Sequence, residues 1–372
     1  MRPLTGLLIL VALMPPSPRA ATAATAIRVG FLREQEQVTV MSERPIDVRA
    51  PGVPAAELPP GAHEITPGGS GIVLPGLGEL GGPVRLIPSS GARLFVAIRP
   101  YRGVLELRRT PSGRLTVINE LELEEYLYGV LKMEVDPRWP PEALKAQAVA
   151  ARTLALYSLG RFRAEGYDVR ATTESQVYGG LSAEDPRTTA AVDATRGEII
   201  TYQSRPILAV YHSDSGGATE SSEHVWGGQY PYLRGVPDPF TSAAPWTVRM
   251  DRSDLAARLR RAGRAVSDIV GVEVAEVTPS GRARTVRITS TAGAVVVRAT
   301  ELRSALGADV MKSTLFAVRL VAGDEPVIEF TGRGSGHGVG LSQWGARGQA
   351  LAGRSYLEIL RYYYAGVTIE SR

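Results

Sequence analysis

The chain contains no cysteine in its 372 residues. A protein without cysteine forms no disulfide and offers no thiolate to a metal ion, so disulfide scaffolds and cysteine-based zinc sites are excluded. No long block of Lys or Arg occurs, and the net charge of +4 is small for this length. The charge pattern therefore gives no reason to expect nucleic-acid binding. No repeat of fixed period is present either.

An apolar run that approaches the length of a membrane span occurs only at the amino terminus. Thr5 to Met14 form this run, Arg2 precedes it, and Ala24-Thr25-Ala26 fits an A-x-A cleavage site. The run is short for a bilayer-crossing helix, which needs about 20 residues. These features predict a signal peptide over residues 1–26 and a secreted or cell-envelope protein. The alternative is a segment that is retained as a membrane anchor.

The remaining chain predicts an α+β fold. Residues 27–103 contain short apolar segments separated by Gly and Pro, which predicts a small β-rich module without a chemical motif. Residues 104–372 mix helical and strand patterns, and 44% of the whole chain is hydrophobic, enough for a proper core. We therefore expect a small N-terminal β module, followed by a mixed α+β catalytic domain.

Glu134 is the acidic residue that the surrounding sequence makes most unusual. It lies in a largely apolar stretch from Val130 to Val135, and Trp139 follows a turn away. An apolar environment destabilises a charged carboxylate and raises its pKa. Such an acid can donate a proton to a leaving group near neutral pH. The structural alternative is a helix-terminal glutamate that pairs with Lys132 or Arg138.

The segment after Glu134 predicts a buried, Ala-rich helix. Residues 142–156 are nearly all apolar, and Pro140-Pro141 suits a helix entrance. Lys145 and Arg152 are seven residues apart and share one face of this helix. A buried arginine requires an acceptor. Glu134 and a bound substrate are both candidates for that acceptor.

These segments, NELELEEYLYGVLKMEV and PPEALKAQAVAARTLAL, resemble the stage II sporulation protein D and amidase-enhancer family. The resemblance extends from about residue 104 to residue 372. It implies a lytic transglycosylase that acts on peptidoglycan glycan strands, with Glu134 as the catalytic acid/base. It also implies that Lys145 and Arg152 match a lysine and an arginine that the sporulation branch requires.

Two further glycine-containing motifs belong to the same resemblance. The first, Tyr211–Glu223, offers Ser213, Ser215 and Thr219 to a sugar chain, or forms a glycine turn capped by hydroxyl groups. Trp226 and Tyr230–Leu233 follow, and they either stack on sugar rings or pack in the core.

The second motif, GHGVGLSQWGA, spans residues 336–346. Its alternating glycines leave the backbone open to a ligand. We expect His337 to orient Glu134 or to bind a sugar hydroxyl. Ser342 and Gln343 either line the cleft or cap a helix.

A shorter segment, Thr172–Gly180, adds Gln176 and Tyr178 as candidate cleft residues. In some relatives the place of Glu174-Ser175 holds His and Cys zinc ligands. Because this chain has neither residue there, and because its four histidines have no metal-site spacing, we predict no metal and no cofactor.

The resemblance and the predicted signal peptide together imply an exported peptidoglycan lytic transglycosylase, a lyase that cleaves at N-acetylmuramic acid and leaves 1,6-anhydro ends. One carboxyl group suffices for that reaction, so Asp136 is interpreted as a turn former rather than a second acid. The alternative is a non-catalytic cell-wall protein that stimulates an N-acetylmuramoyl-L-alanine amidase. A third interpretation is glycan hydrolysis. Expected partners are glycan strands and that amidase, with the membrane only if the signal segment is retained.

Overall fold

The structure, a computed structural model, describes residues 25–241, 245–323 and 326–371. The signal peptide predicted for residues 1–26 lies outside these ranges except for its last two residues. Within the described ranges, none of the helices combines the length and the apolar character that a bilayer span requires.

The first hundred described residues form two sheets of short strands. The strands are, in chain order, β1 Ala26–Gln35, β2 Val38–Ser42, β3 Ile46–Arg49, β4 Ala56–Leu58, β5 Gly61–Pro67, β6 Ile72–Leu74, β7 Gly78–Leu80, β8 Val84–Pro88, β9 Leu94–Val96, β10 Arg99–Tyr101, β11 Val104–Arg109 and β12 Leu115–Glu122. One sheet has the order β1-β12-β11-β8-β3-β4 and the other has the order β10-β9-β2-β5-β6-β7. Side chains alternate between core and solvent along these strands, as in β2, where Val38 and Val40 are buried.

Strands from both sides of the predicted division at residue 103 share the first sheet. β1 pairs antiparallel with β12, and β12 pairs with β11. Apolar side chains of all these strands belong to one hydrophobic core, which also includes residues of the helix that follows β12. The division into a module of residues 27–103 and a domain of residues 104–372 stays a prediction.

Two helices follow β12 directly. They are α1, Leu123–Glu134, and α2, Pro141–Tyr157. In α2, 11 of the 17 residues are buried, which confirms the buried Ala-rich helix. Ala148 and Ala151 pack into the first core, whereas Ala146 and Ala150 pack into a second core. The small alanine side chains thus allow α2 to separate two cores.

Short helices and strands follow α2. They are β13 Val169–Arg170, α3 Pro186–Ala194, β14 Glu198–Tyr202, β15 Arg205–Pro206, β16 Tyr211–His212 and α4 Ser222–Trp226. β13 extends the first sheet by pairing parallel to β1. The apolar segment between β15 and β16 has the alternating pattern of a strand, because the buried Ile207 and Ala209 alternate with the partly buried Leu208 and Val210. Its backbone instead forms tight turns, in which Ala209 N–H donates to the Ile207 carbonyl and Val210 N–H donates to the Leu208 carbonyl, both at 2.9 Å.

Residues 246–332 form a unit with its own hydrophobic core, which we name the inserted unit. Its elements are β17 Trp246–Asp251, α5 Arg252–Arg261, β18 Ile269–Val277, β19 Ala283–Ser290, β20 Gly293–Arg298, α6 Ala299–Leu306, β21 Phe316–Val321 and β22 Val327–Gly332. They form two antiparallel sheets, β17-β22-β21 and β18-β19-β20, covered by α5 and α6. Residues 104–372 were predicted as one domain, so this separate core was not predicted from the sequence.

After the inserted unit the chain returns to the second core. The last elements are β23 Leu341–Ser342, α7 Gln343–Leu351, α8 Tyr356–Tyr363 and β24 Thr368–Ser371. β23 pairs parallel to β16, and β24 pairs with β14. Both α7 and α8 pack against α2. Helices and sheets therefore share the cores, which confirms the predicted α+β class.

Candidate active site

A groove with a volume of about 1060 Å³ opens beside the last turn of α1, and Glu134 lies in its wall. The groove also takes residues from the segment after β13, from β16, from α4 and from the start of α7. The four sequence motifs therefore meet at one place, although they are far apart in the chain. The inserted unit contributes Arg303 and Ala308 to the lining.

Three hydrogen-bond donors surround the Glu134 carboxyl group. Val177 N–H donates to Oε1 at 3.0 Å, and the side chains of Gln343 and Tyr211 lie near enough to stabilise the charged carboxylate. Burial raises the pKa of Glu134 and outweighs these donors, which lower it by stabilising the charged form. The pKa therefore lies above its ordinary value. An acid of this kind keeps its proton closer to neutral pH, as a general acid must.

The sequence neighbours of Glu134 do not account for its burial. Met133 is 47% exposed, and Val130 and Leu131 pack into the first core. The groups beside the carboxyl group come instead from distant segments, namely Val177, Gln343 and Tyr211. The direction of the pKa shift agrees with the sequence-based expectation, but the surroundings that cause it were predicted wrongly.

A chain of hydrogen bonds fixes the orientation of Tyr211. The Tyr126 hydroxyl donates to Gln176 Oε1 at 3.1 Å, and Gln176 Nε2 donates to the Tyr211 phenol oxygen at 3.0 Å. Gln176 Nε2 also donates to the Ala151 carbonyl at 3.3 Å. Burial and the nearby Glu134 raise the pKa of Tyr211 well above its ordinary value. Tyr211 therefore keeps its proton, and its neutral hydroxyl lies beside the Glu134 carboxyl group as a potential hydrogen-bond donor.

His337 lines the groove, but both of its ring nitrogens bind the backbone. Nε2 lies 3.0 Å from the Tyr211 carbonyl oxygen, and Nδ1 accepts a hydrogen bond from Val339 N–H at 3.1 Å. This pattern requires a neutral ring with its proton on Nε2. Burial lowers the pKa of His337 to about 4, in agreement with that state. His337 makes no hydrogen bond to Glu134 in the described structure, and its ring instead binds the backbone of Tyr211, whose side chain lies beside that acid.

Four of the predicted site residues besides Glu134 line the groove, namely Gln176, Ser213, His337 and Gln343. Gln343 is the first residue of α7, and the Ser342 side chain caps that helix by accepting from Gly345 N–H. Trp344 N–H donates to the Ser213 carbonyl at 3.0 Å. The start of α7 is thereby held against the Ser213 loop, which places the Gln343 amide beside Glu134.

Four other predicted residues are buried in the framework and do not line the groove. Ser215 donates to Asp238 Oδ2 at 2.7 Å. Ser342 caps α7, as the alternative interpretation expected. The Thr219 hydroxyl donates to the Val236 carbonyl at 3.4 Å and accepts from Val236 N–H at 2.9 Å. Tyr178 donates to Asn119 Oδ1 at 2.7 Å. These side chains hold the loops that form the groove and are themselves closed to a sugar chain.

Lys145 and Arg152 require a correction. Arg152 is 1% exposed and forms a two-pronged ion pair with Glu124, at 2.8 and 2.7 Å, so the expectation that it holds Glu134 or the substrate is wrong. Lys145 pairs with Glu142 at 2.8 Å, away from the groove lining. Glu124 lies in the first turn of α1, so Arg152 ties α2 to the helix that carries Glu134.

Several groove residues were not among the sequence candidates. Tyr211 is the most important, and its place at the head of the Ser213 motif was the available signal. Trp226, which the sequence left undecided between stacking and packing, lines the groove with 46% of its surface exposed. Arg161 and Arg303 also line the groove, and no local pattern distinguishes them from other arginines in the sequence.

Only two carboxyl groups line the groove within the described ranges, those of Glu134 and Glu174. Glu174 pairs with Arg170 at 2.6 Å. Asp136 lies outside the lining, and hydrogen bonds from Arg138 lower its pKa to about 2. Glu134 is thus the groove carboxyl group whose pKa is raised. No group of three or more His, Asp or Glu side chains suited to a metal ion occurs in the described part of the chain.

Comparison with known families places these features in context. Residues 111–202 match the family model described as stage II sporulation protein. This range contains α1, Glu134, α2 and Gln176. Residues 241–340 match a second model, described as a domain of unknown function (DUF8618), which includes the inserted unit.

Individual relatives extend the match along the chain. An uncharacterized protein of Brachyspira hyodysenteriae is 38% identical over 261 residues, which cover 69% of each chain. Stage II sporulation protein D of Bacillus amyloliquefaciens is 32% identical over 328 residues, which cover 80% of this chain and 90% of the relative. The amidase enhancer of Bacillus subtilis is 33% identical over 293 residues, which cover 66% of this chain and only 40% of the relative. The chain therefore belongs to the stage II sporulation protein D family.

Proposed function

We propose that this protein is a peptidoglycan lytic transglycosylase that cleaves glycan strands at N-acetylmuramic acid. The observation that carries the proposal is the single groove carboxyl group with a raised pKa, Glu134. Glycoside hydrolases usually need two carboxyl groups, one on each side of the scissile bond. A groove with one suitable acid favours a reaction in which the substrate supplies its own nucleophile.

The reaction proceeds by two proton transfers at the same carboxyl group. Glu134 first protonates the glycosidic oxygen, and the bond between that oxygen and C1 of N-acetylmuramic acid breaks. The resulting carboxylate then accepts the proton of the C6 hydroxyl of the same sugar, and O6 bonds to C1. Glu134 ends protonated, and no water is consumed. Intramolecular attack benefits from the proximity of O6 to C1.

The neighbours of Glu134 suit both halves of this cycle. Val177 N–H, Tyr211 and Gln343 stabilise the carboxylate that forms when the proton leaves. Burial destabilises the same carboxylate and favours the return of the proton. A site with these opposing effects keeps the two protonation states close in free energy, which a group that is acid and then base requires.

Export and a role in sporulation belong to the same proposal. The predicted signal peptide would deliver the protein to the cell envelope, where glycan strands are found. The name of the Bacillus amyloliquefaciens relative and the description of the matched family model connect the family with sporulation. The amidase enhancer of Bacillus subtilis favours a second candidate function. In that candidate the chain binds the cell wall without cleaving it and stimulates an N-acetylmuramoyl-L-alanine amidase.

Digestion of purified, peptide-free glycan strands tests the proposal. We expect the full mature chain to release fragments with 1,6-anhydro ends, detected by mass spectrometry, and Glu134→Gln to release none. Asp136→Asn is the matched control, because it removes a nearby carboxylate outside the groove and leaves the reaction intact. Anhydro products from Glu134→Gln would overturn the assignment of the acid.

The same variants distinguish the amidase-stimulating function from cleavage of glycan strands. An amidase assay on intact cell wall would be run with the wild type and with Glu134→Gln. Stimulation that is equal for both, together with no cleavage of glycan strands by either, would replace the transglycosylase by the amidase-stimulating function.

A further inference from the structure

The inserted unit brings a positive charge into the groove that contains Glu134. Arg303 lies on α6 and lines the groove, as do His337 and Trp226. Arg303 is near enough to His337 for its charge to lower the pKa of that histidine. The His337 ring in turn lies 5.1 Å from the Trp226 ring. These three side chains therefore form one cluster.

The guanidinium group of Arg303 is held in place but not neutralised. Nε donates to the Met311 carbonyl at 2.9 Å, and Nη2 donates to the Lys312 carbonyl at 3.2 Å. Within residues 25–241, 245–323 and 326–371, Nη1 has no hydrogen-bond partner and the side chain has no ion pair. Partly buried positive charges normally have an anionic partner. Nη1 therefore keeps a charged donor that a ligand in the groove can reach.

No other charged residue of the groove lining acts as a partner or a substitute for Arg303. Glu174, the second carboxylate of the lining, is taken by Arg170. Arg161 is exposed and donates to the Glu174 carbonyl at 3.2 Å. Of the two arginines that line the groove, Arg303 is therefore the partly buried one. Its Nη1 donor has no protein acceptor among the described residues. A guanidinium donor recognises carboxylates more strongly than neutral acceptors, because both partners are charged.

Trp226 gives the cluster an apolar surface. Its side chain is 46% exposed, and it ends α4 just before Gly227, which takes a left-handed conformation with φ of 81°. A large aromatic face next to a cation suits a sugar ring that carries an anionic substituent, since the ring stacks and the substituent reaches the cation.

We propose that Arg303, with Trp226 and His337 beside it, forms a subsite that binds a carboxylate of the glycan substrate. This inference rests on the proposed function for the identity of the ligand, peptidoglycan glycan. Two carboxylates of that polymer have the required chemistry. One is the lactyl carboxylate of N-acetylmuramic acid in strands without peptide, and the other belongs to the stem peptide. The inserted unit then selects substrate, whereas α1 and the motifs around it carry the acid.

Binding measurements on the Glu134→Gln protein test this inference without turnover. The probes are peptide-free strands and peptide-bearing strands, each used as isolated and after conversion of the carboxylates to amides. Arg303→Gln is added in the same background, and Arg298→Gln is the matched control. Arg298 is an exposed arginine immediately before α6 and does not line the groove.

We expect Arg303→Gln to weaken binding of unmodified strands by about tenfold, as for the loss of one charge-assisted hydrogen bond. Amidation should weaken binding to the parent protein by a similar factor. Arg303→Gln should then cause no further loss on amidated strands, since the two changes remove the same interaction. The strand type that responds to amidation identifies the source of the carboxylate.

A different pattern would overturn the inference. Arg303 also holds the carbonyl groups of Met311 and Lys312, so a purely structural effect would weaken binding of unmodified and amidated strands equally. Equal losses, no loss, or no binding of unmodified strands would each contradict the carboxylate subsite. Anhydro products from protein with Glu134 intact are scored separately, so failure of catalysis and failure of the subsite are distinguished.

Discussion

The Gln176 side-chain amide donates a hydrogen bond of 3.0 Å to the phenol oxygen of Tyr211. Because this oxygen is occupied as an acceptor, the Tyr211 proton is free to point at Glu134. Tyr126 fixes the orientation of the amide in turn, by donating to Gln176 Oε1 at 3.1 Å. The charge on Glu134 is therefore controlled by a directed set of donors rather than by apolar contacts alone.

Tyr211→Phe tests this set of donors. Because Tyr211 lowers the pKa of Glu134, its removal should raise that pKa further and move the falling, high-pH limb of the pH–rate profile to higher pH. The carboxylate formed during the reaction also loses a donor, so kcat should fall about tenfold or more. The comparison variant is Tyr128→Phe, which removes a hydroxyl from α1 outside the groove lining. An unchanged profile for Tyr211→Phe would contradict the donor role.

Glu134→Gln should reveal the cost of the acid to stability. The folded-state pKa of Glu134 is raised, so its favourable contribution is complete below the unfolded-state pKa and is lost as pH rises through the folded-state pKa. The variant cannot ionise. Its free energy of unfolding should therefore increase relative to wild type between pH 4 and pH 8, measured by urea denaturation. A difference that shrinks over this interval would mean that the pKa shift has the opposite sign.

Glu220→Gln should show the opposite pH dependence. Burial raises the pKa of Glu220, but hydrogen bonds from Thr278, His224 and Ser280 outweigh it and lower the pKa below its ordinary value. The stability that Glu220 contributes is present above its unfolded-state pKa and is lost as pH falls. We expect the variant to lose about 2 kcal/mol relative to wild type at pH 8, and progressively less as the pH falls below the ordinary glutamate pKa, in urea titrations extended to low pH.

That result would also show how the inserted unit is attached. Thr278 and Ser280 lie at the turn between β18 and β19, whereas Glu220 lies in the loop that follows β16. A loss of stability at pH 8 that does not diminish at low pH would instead indicate a packing defect at Glu220. The charge of Glu220 would then not help to attach the inserted unit to the loop after β16.

Arg152→Met should be strongly destabilising. The change leaves Glu124 buried without its ion-pair partner, which costs about 3–5 kcal/mol in comparable sites. Lys145→Met removes a partly exposed pair on the same helix and should cost less than about 1 kcal/mol. The double variant Arg152→Met, Glu124→Leu should recover part of the loss, since no unpaired charge remains. Similar costs for the two single variants would contradict the framework role of Arg152.

The sequence predicted features that depend on nearby residues. The Ala-rich pattern of residues 142–156 identified a buried helix, and short apolar segments separated by Gly and Pro predicted the β-rich structure of residues 27–103. It failed for contacts between distant segments. Arg152 was expected to contact Glu134. It pairs instead with Glu124, which lies in the first turn of α1, whereas Glu134 is the last residue of that helix. The separate core of the inserted unit was also missed, because a hydrophobic residue has the same appearance in a sequence whichever core it joins.

At the Glu134 site, too, the sequence predicted local features but not the contacts between distant segments. Its motif marked the acid, but Tyr211 approaches from a segment more than 70 residues later, and no local spacing indicates that contact. Ser215 and Thr219 were expected in the cleft because hydroxyl groups suit sugars. They bind Asp238 and the Val236 backbone instead, since buried polar groups in a tightly turned loop must first satisfy each other.

The most direct test of the account is digestion of peptide-free glycan strands in water enriched in heavy oxygen, with the products analysed by mass spectrometry. Cleavage by the substrate's own C6 hydroxyl predicts 1,6-anhydro ends that carry no heavy oxygen, and Glu134→Gln should abolish them. New reducing ends that contain heavy oxygen would show that water is the nucleophile and would contradict the single-acid mechanism.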